Sequence, residues 1–297
     1  MKITFNEEVA GAQHFDTPIV ALESTVIAHG LPYPQNIETA YKLERIVREA
    51  GAVPATIAVF DGSPTVGLNE QQYELLATSR DIRKLSVRDL PIAVAGKLNG
   101  ATTVSTTAMI AHQAGIRTFA TGGIGGIHRG GTGDISADLP VLERTPIVVV
   151  CSGAKLILDL PATREWLETW GITVLGWKTD SFPAFYSRSS GLTIDQRVEI
   201  AQDVSRIVDG RDEVGLNSAV LVTVPVPDTA EMAAEEIERL LAEALRSAAE
   251  HGIKGKDVTP FLLSELTSRS EGRTLKANIA LLENNARVAA EIAKAIG

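Results

Sequence analysis

Strand-length apolar runs alternate with amphipathic stretches of helical length through most of this chain, and that alternation most narrows what it can fold into. "PIVALEST" (18–25), "VPATIAVFDG" (53–62), "LPIAVAGK" (90–97), "IRTFATGG" (116–123), "IVVVCSGA" (147–154), "ITVLGWK" (172–178) and "SAVLVTVPVP" (218–227) read as strands. Between them, "PQNIETAYKLERIVREAG" (34–51) reads as a helix, with Ile37, Ala40, Leu43, Val47 and Ala50 at helical spacing and Gly51 as the stop. "NEQQYELLATS" (69–79) is a shorter helix with Asn69 as its N-cap. "GATTVSTTAMIAHQAG" (100–115) reads as a helix with a small, hydroxyl-rich face, "TREWLETWG" (163–171) as another, and a further one lies near 193–209. Long helices follow near 229–251 and 274–296. Parallel strands need crossover connections, so this order predicts an α/β fold: a largely parallel or mixed central sheet covered by helices, with helical C-terminal additions. The acidic helix at 229–251 would turn a solvated face outward over an apolar stripe. No fixed-period repeat, low-complexity segment or linker interrupts the 297 residues, so a single domain over 1–297 is expected.

Charge excludes one class of function. The formal net charge is −9, and a general nucleic-acid binder needs a basic surface. A small phosphorylated substrate is still open, because a local basic pocket suffices to hold it. The single cysteine, Cys151, allows no intramolecular disulfide and fits a cytoplasmic location. "MKITFNEEVA" does not read as a secretory signal, and no apolar run reaches the roughly 18 residues of a membrane span.

Ligands in parallel α/β sheets collect at the carboxyl ends of strands. Glu23, Lys97, Asn99, the loop "TGGIGGIHRGGTGDISADLP" and Lys155 all follow strand readings. Within that loop, "GGIGGIHRGG" holds six glycines in ten residues, which suits either close approach of backbone amides to an anion or simply a tight turn. A dinucleotide fingerprint would need a helix opening directly after it, and His128, Arg129 and more glycines follow instead. "DISAD" spaces Asp134 and Asp138 four apart, which would share a face on one helical turn or line one pocket in a loop. Their oxygens suit Mg²⁺ or Mn²⁺, and N-capping or plain surface charge is the alternative. His29 and His128 are the nearest histidines, as loop hydrogen-bonders or acid–base groups. Cys151 reads as a buried, inert thiol. Lys155 is either a surface stem lying over the core or an amine stripped of water by the apolar strand before it and "LILDLP" after it. Lys84 and Lys97 are further candidates, for charge contact with a phosphate or, as neighbouring cations, for favouring a neutral amine.

Taken together, "ALESTVIAHGLPYPQN", "GAVPATIAV", "RDLP", "GKLNGATTVSTT", "FATGGIGGIHRG", "DISADL", "CSGAKLILDL", "TPFLL" and "LKANIALLENN" carry a resemblance over residues 18–295. The chain resembles the pseudouridine-5′-phosphate glycosidases, also called pseudouridylate synthases, which share their fold with the indigoidine synthase A-like proteins. The resemblance implies reversible cleavage of the C–C glycosidic bond of pseudouridine 5′-phosphate to uracil and ribose 5-phosphate, as a step of pseudouridine catabolism. It implies Lys155 as the nucleophile that forms an imine at C1′ and Glu23 as the proton donor that opens the ribose. It implies Asp134 as the Mn²⁺ ligand, other divalent cations being possible. Lys84, Val104, Ser136, Ala137 and Asp138 would contact substrate, with His128 and Asn278 as further pocket residues. A homotrimer is implied, with no membrane or nucleic-acid partner. Between "HRG" and "DISAD" this chain carries only "GTG", where the family pattern has a slightly longer insert.

Overall fold

The computed structural model describes residues 2–130, 133–253 and 258–297. In chain order the strands are β1 (Thr4–Phe5), β2 (Ile19–Leu22), β3 (Val53–Phe60), β4 (Ser63–Val66), β5 (Arg83–Leu85), β6 (Gly100–Thr102), β7 (Thr118–Ala120), β8 (Val148–Cys151), β9 (Thr173–Trp177), β10 (Gln196–Val198) and β11 (Val220–Thr223). The helices are α1 (Glu7–His14), α2 (Gln35–Glu49), α3 (Glu70–Thr78), α4 (Leu90–Gly96), α5 (Val104–Gln113), α6 (Asp138–Leu142), α7 (Leu160–Thr169), α8 (Ala201–Glu213), α9 (Ala234–Glu250), α10 (Val258–Arg269) and α11 (Arg273–Ile296).

The strands form one mixed sheet in the order β1-β4-β3-β2-β7-β8-β11-β9-β10, with β6 attached to β3 and β5 to β6. From β3 through β2, β7, β8, β11 and β9 to β10 every pairing is parallel. Among the strands of the described residues, only β3–β4 and β3–β6 run antiparallel. The expected Asp-Gly turn at Asp61–Gly62 makes the β3–β4 connection. Every residue of β8 and β11 is buried, so both faces of the sheet centre are covered, as its continuous apolar runs require. The last helix, α11, packs on β2, β7 and β8 and against α2 and α8, whereas α5 packs on β2, β3 and β7. Among the described residues no helix is long and apolar enough to cross a membrane.

Three sequence expectations are corrected. "LPIAVAGK" is not a strand: Leu90–Gly96 is helix α4. Pro91 fits the first turn of a helix, where its missing N–H costs nothing. Leu90 and Ala93 are buried while Ile92 and Val94 are exposed, a one-sided burial at helical spacing. The stretch 100–115 is not helical from its start, because Gly100–Thr102 first forms β6 and the helix begins at Val104. The helix expected near 193–209 resolves into β10 followed by α8. Asn69 does cap α3, in a reciprocal capping box with Gln72.

Candidate active site

The site is built on three adjacent parallel strands. At the carboxyl end of β2, Glu23 is 8% exposed, and each carboxylate oxygen accepts one threonine hydroxyl: Oε2 from Thr25 and Oε1 from Thr121. Thr121 lies at the end of β7, where its N–H donates to Val150 O at 3.0 Å. The neighbouring hydroxyls of "LEST" and "GATTVSTT" serve the core: Ser24 Oγ and Thr102 Oγ1 both donate to Ile57 O, at 2.7 and 2.6 Å, and Thr107 donates to Thr102 Oγ1 at 2.8 Å.

At the end of β8 the chain continues beside the glycine loop. Ser152 N–H donates to Gly122 O (2.8 Å), Ile124 N–H to Gly153 O (3.0 Å) and Lys155 N–H to Ile124 O (3.0 Å). Gly153 has φ +77°, and a Cβ there would collide with the Pro183 carbonyl, so no other residue fits this turn unstrained. Leu156, Ile157 and Leu158 after the lysine are buried, and Lys155 itself is half-buried. Among the described residues its ammonium has no hydrogen-bond or ion-pair partner. Arg129 holds the turn beyond it, donating to Leu156 O (3.2 Å) and Leu158 O (3.1 Å) while pairing with Glu238 of α9. From α11, the fully buried Asn285 donates to Thr121 O (2.8 Å) and to Ser152 Oγ (3.2 Å), tying the ends of β7 and β8 together.

A third group gathers at the start of α5. Asp138, 5% exposed, accepts from Ser105 N–H and from Gly125 N–H, both at 2.8 Å. Gly125 is required because a Cβ there would collide with Ser136 Oγ and Asp138. Val104 is the first residue of α5 and is buried; Ala137 caps α6, and Ser136 Oγ accepts from Asp138 N–H at 3.2 Å. Lys84 lies in β5, in register with Ala101 of β6, and Thr103 N–H donates to Leu85 O at 3.1 Å. Replacing Asp138 with Ala would strand two buried amides. The expected cost is about 3 kcal/mol, and a thermal melt should read a Tm lower by roughly 6–12 °C.

The glycine loop is thus the tight structural turn rather than an open anion cradle over most of its length. The amides of Ile124, Gly125, Ile127 and His128 donate to Gly153 O, Asp138, Thr163 Oγ1 and Asp134 O respectively. Asp134 and Asp138 do not share a helical face, because α6 opens only at Asp138; Asp134 is exposed and Asp138 buried. Part of the short insert, residues 131–132, lies outside the described residues. Half-buried His128 follows the loop, and Asn278 Oδ1 lies 3.5 Å from where a Gly122 Cβ would be, at the β7 end of the site. His29 lies in a π-helical turn, Val26–Gly30, that follows β2. Lys97 and Asn99 do not follow a strand: Lys97 is the exposed C-cap of α4, and Asn99 Oδ1 accepts from Asp61 N–H. Burial pushes the Cys151 thiol up to about 12, the inert state expected of it.

Among the described residues no three His, Cys, Asp or Glu side chains converge on a possible metal position. The lone exposed carboxylate of Asp134 therefore fits only a hard cation that keeps most of its waters. A cavity of about 690 Å³ lies beyond Leu156, between Arg129, Ala184, Leu192, Ile237 and Glu238. None of the expected site residues lines it.

The family described as indigoidine synthase A like protein matches residues 8–295. A pseudouridine-5′-phosphate glycosidase of Caldanaerobacter subterraneus subsp. tengcongensis is 52% identical, the alignment covering 98% of this chain and 95% of that one. The chain belongs to the pseudouridine-5′-phosphate glycosidase family. A glycosidase of that name from Geobacillus kaustophilus is 51% identical, over 98% of both chains. Among solved structures, the prealnumycin C-glycosynthase AlnA in complex with ribulose 5-phosphate superposes with TM-score 0.91 at 39% identity, covering 99% of this chain and 96% of that one. An indigoidine synthase A-like protein of Thermotoga maritima gives TM-score 0.90 at 40% identity, covering 98% and 95%. The family fold is the mixed, helix-covered sheet that the strand–helix alternation predicts.

Sequence reasoning missed three residues that brace the candidate site: Thr121, Arg129 as a clamp on the lysine turn, and Asn285. Asn285 did leave a signal. It lies in the apolar stripe Leu281, Val288, Ile292 of α11, seven residues from Asn278 and hence on the same face.

Proposed function

We propose that this protein cleaves the C–C glycosidic bond of pseudouridine 5′-phosphate, reversibly giving uracil and ribose 5-phosphate. The observation that carries the proposal is identity of about half over nearly whole chains to glycosidases of that name, with Glu23 and Lys155 borne on ends of the same parallel strand cluster. The chemistry needs both. Uracil leaves through carbon, so protonating a leaving nitrogen cannot help. Glu23 gives its proton to the ring oxygen, and the C1′–O4′ bond breaks. The neutral Lys155 amine bonds to C1′ and the secondary ammonium so formed gives up a proton; the lone pair this frees then forms the C=N bond as C1′–C5 breaks, and uracil takes a proton at C5. Water hydrolyses the imine, releasing the aldehyde of ribose 5-phosphate and the free amine. Buried Leu156–Leu158 and the β8 end keep water from the lysine stem. Lys84, the α5 start at Val104, the Ser136–Asp138 segment, His128 and Asn278 are the substrate contacts in this reading. Asp134 would hold Mn²⁺ with waters completing its shell, and the ion would supply positive charge beside the phosphorylated sugar. A homotrimer working in the cytoplasm completes the proposal.

A second reading has one observation behind it: a C-glycosynthase shares the fold at 39% identity. The higher identity to the glycosidases favours cleavage of the pyrimidine C-nucleotide. Purified protein incubated with pseudouridine 5′-phosphate and Mn²⁺ should release free uracil, read by chromatography. No uracil from pseudouridine 5′-phosphate, together with no pseudouridine 5′-phosphate from uracil and ribose 5-phosphate, would remove the assignment.

A further inference from the structure

We propose that Thr121, with Thr25 opposite it, is a positioning residue that fixes the Glu23 carboxyl for proton transfer; this rests on Glu23 being the proton donor. A carboxyl on a two-methylene stem ordinarily turns freely about its last bond. Here one hydroxyl donates to each oxygen, Thr25 to Oε2 and Thr121 to Oε1, so the plane of the group is fixed from both sides. Each oxygen keeps a further lone pair whose direction that plane sets, and a hydroxyl rotor can follow the change when the carboxyl gains or loses its proton.

The fixing is only as firm as the threonine, and Thr121 is held at every polar atom. Its N–H donates to Val150 O (3.0 Å), its carbonyl accepts from Asn285 Nδ2 (2.8 Å), and its hydroxyl goes to Glu23. The residue is 1% exposed. Asn285 also donates to Ser152 Oγ at the end of β8, so the same side chain that anchors Thr121 anchors the strand leading to Lys155. The helix α11 thereby sets the proton donor and the nucleophile in one frame. A preorganised group loses less on reaching the transition state than one that must first be ordered.

The test uses Thr121→Val, which keeps the shape and removes the hydroxyl, Thr121→Ser, which keeps the hydroxyl, and Glu23→Gln as reference. Uracil release from pseudouridine 5′-phosphate is measured with melting curves alongside. The expected result is a kcat about ten- to a hundredfold lower for Thr121→Val, KM within about twofold, a Tm lower by only a few degrees, and restored kcat in Thr121→Ser. A wild-type kcat in Thr121→Val, a change in KM alone, or equal loss in the serine variant overturns the proposal. If Glu23→Gln keeps full activity, the role of Glu23 itself is wrong. If Glu23→Gln is inactive while Thr121→Val is normal, only the positioning role is lost. Should Thr121→Val fail to fold, Thr25→Val reads the same effect from the opposite oxygen.

Discussion

Lys155→Ala should lower kcat/KM for uracil release by roughly 10⁴-fold, since it removes the atom that bonds to C1′. The fold should survive it. The side chain is half-buried and bonded to nothing among the described residues, whereas its backbone is fixed through Ile124 and Leu158 independently of what the side chain is. A melt within a few degrees of the parent is therefore expected beside the loss of activity. The more telling measurement is covalent. Borohydride reduces an imine to a stable amine, so wild-type protein treated with ribose 5-phosphate and borohydride should gain the sugar phosphate, localised by mass spectrometry to Lys155. Lys155→Ala should gain nothing. Adduct recovered on Lys84 or Lys97 in that variant would mean that a different amine does the chemistry. The structure argues against Lys97, which caps α4 in an exposed position.

The strand ends were legible because burial on both faces demands unbroken apolar runs, and polar residues directly after them mark where each strand leaves the sheet. "IVVVCSGAK" and "PIVALEST" carry that signal and place Lys155 and Glu23 just past strand ends; what those two side chains would do came only from the family resemblance. "LPIAVAG" carries the same composition over the same length, and periodicity cannot separate a short buried strand from a short helix there; Pro91 in the first turn was the deciding residue. β1, β5 and β10 are two or three residues long, too short to show a period of two. At the site, residue types were readable but contacts were not. Asp138 looked like a metal or substrate ligand, and its two oxygens accept from Ser105 and Gly125 amides; the partners lie 33 and 13 residues away in sequence, so no local spacing could reveal them. Thr121 was hidden for the same reason, its acceptor Glu23 lying 98 residues earlier.

Glu23→Gln should separate the two halves of the reaction. Glutamine fits the carboxyl's volume and can still meet Thr25 and Thr121, but it has no proton to give to a ring oxygen at neutral pH. Cleavage of pseudouridine 5′-phosphate should fall by about 10²- to 10⁴-fold, the range for a lost general acid. Ribose 5-phosphate differs, because the free sugar opens spontaneously in water and presents C1′ as an aldehyde that an amine can attack without help. The glutamine variant should therefore still trap ribose 5-phosphate on Lys155 under borohydride while releasing almost no uracil. Lys155→Ala loses both signals, so the pair of variants assigns ring opening to one side chain and carbon–nitrogen bond formation to the other. Equal loss of trapping with ribose 5-phosphate in Glu23→Gln would place the glutamate in imine formation instead. That outcome would shift its role from the ring oxygen to the proton transfers at C1′ nitrogen, on the same strand end and with the same two threonines holding it.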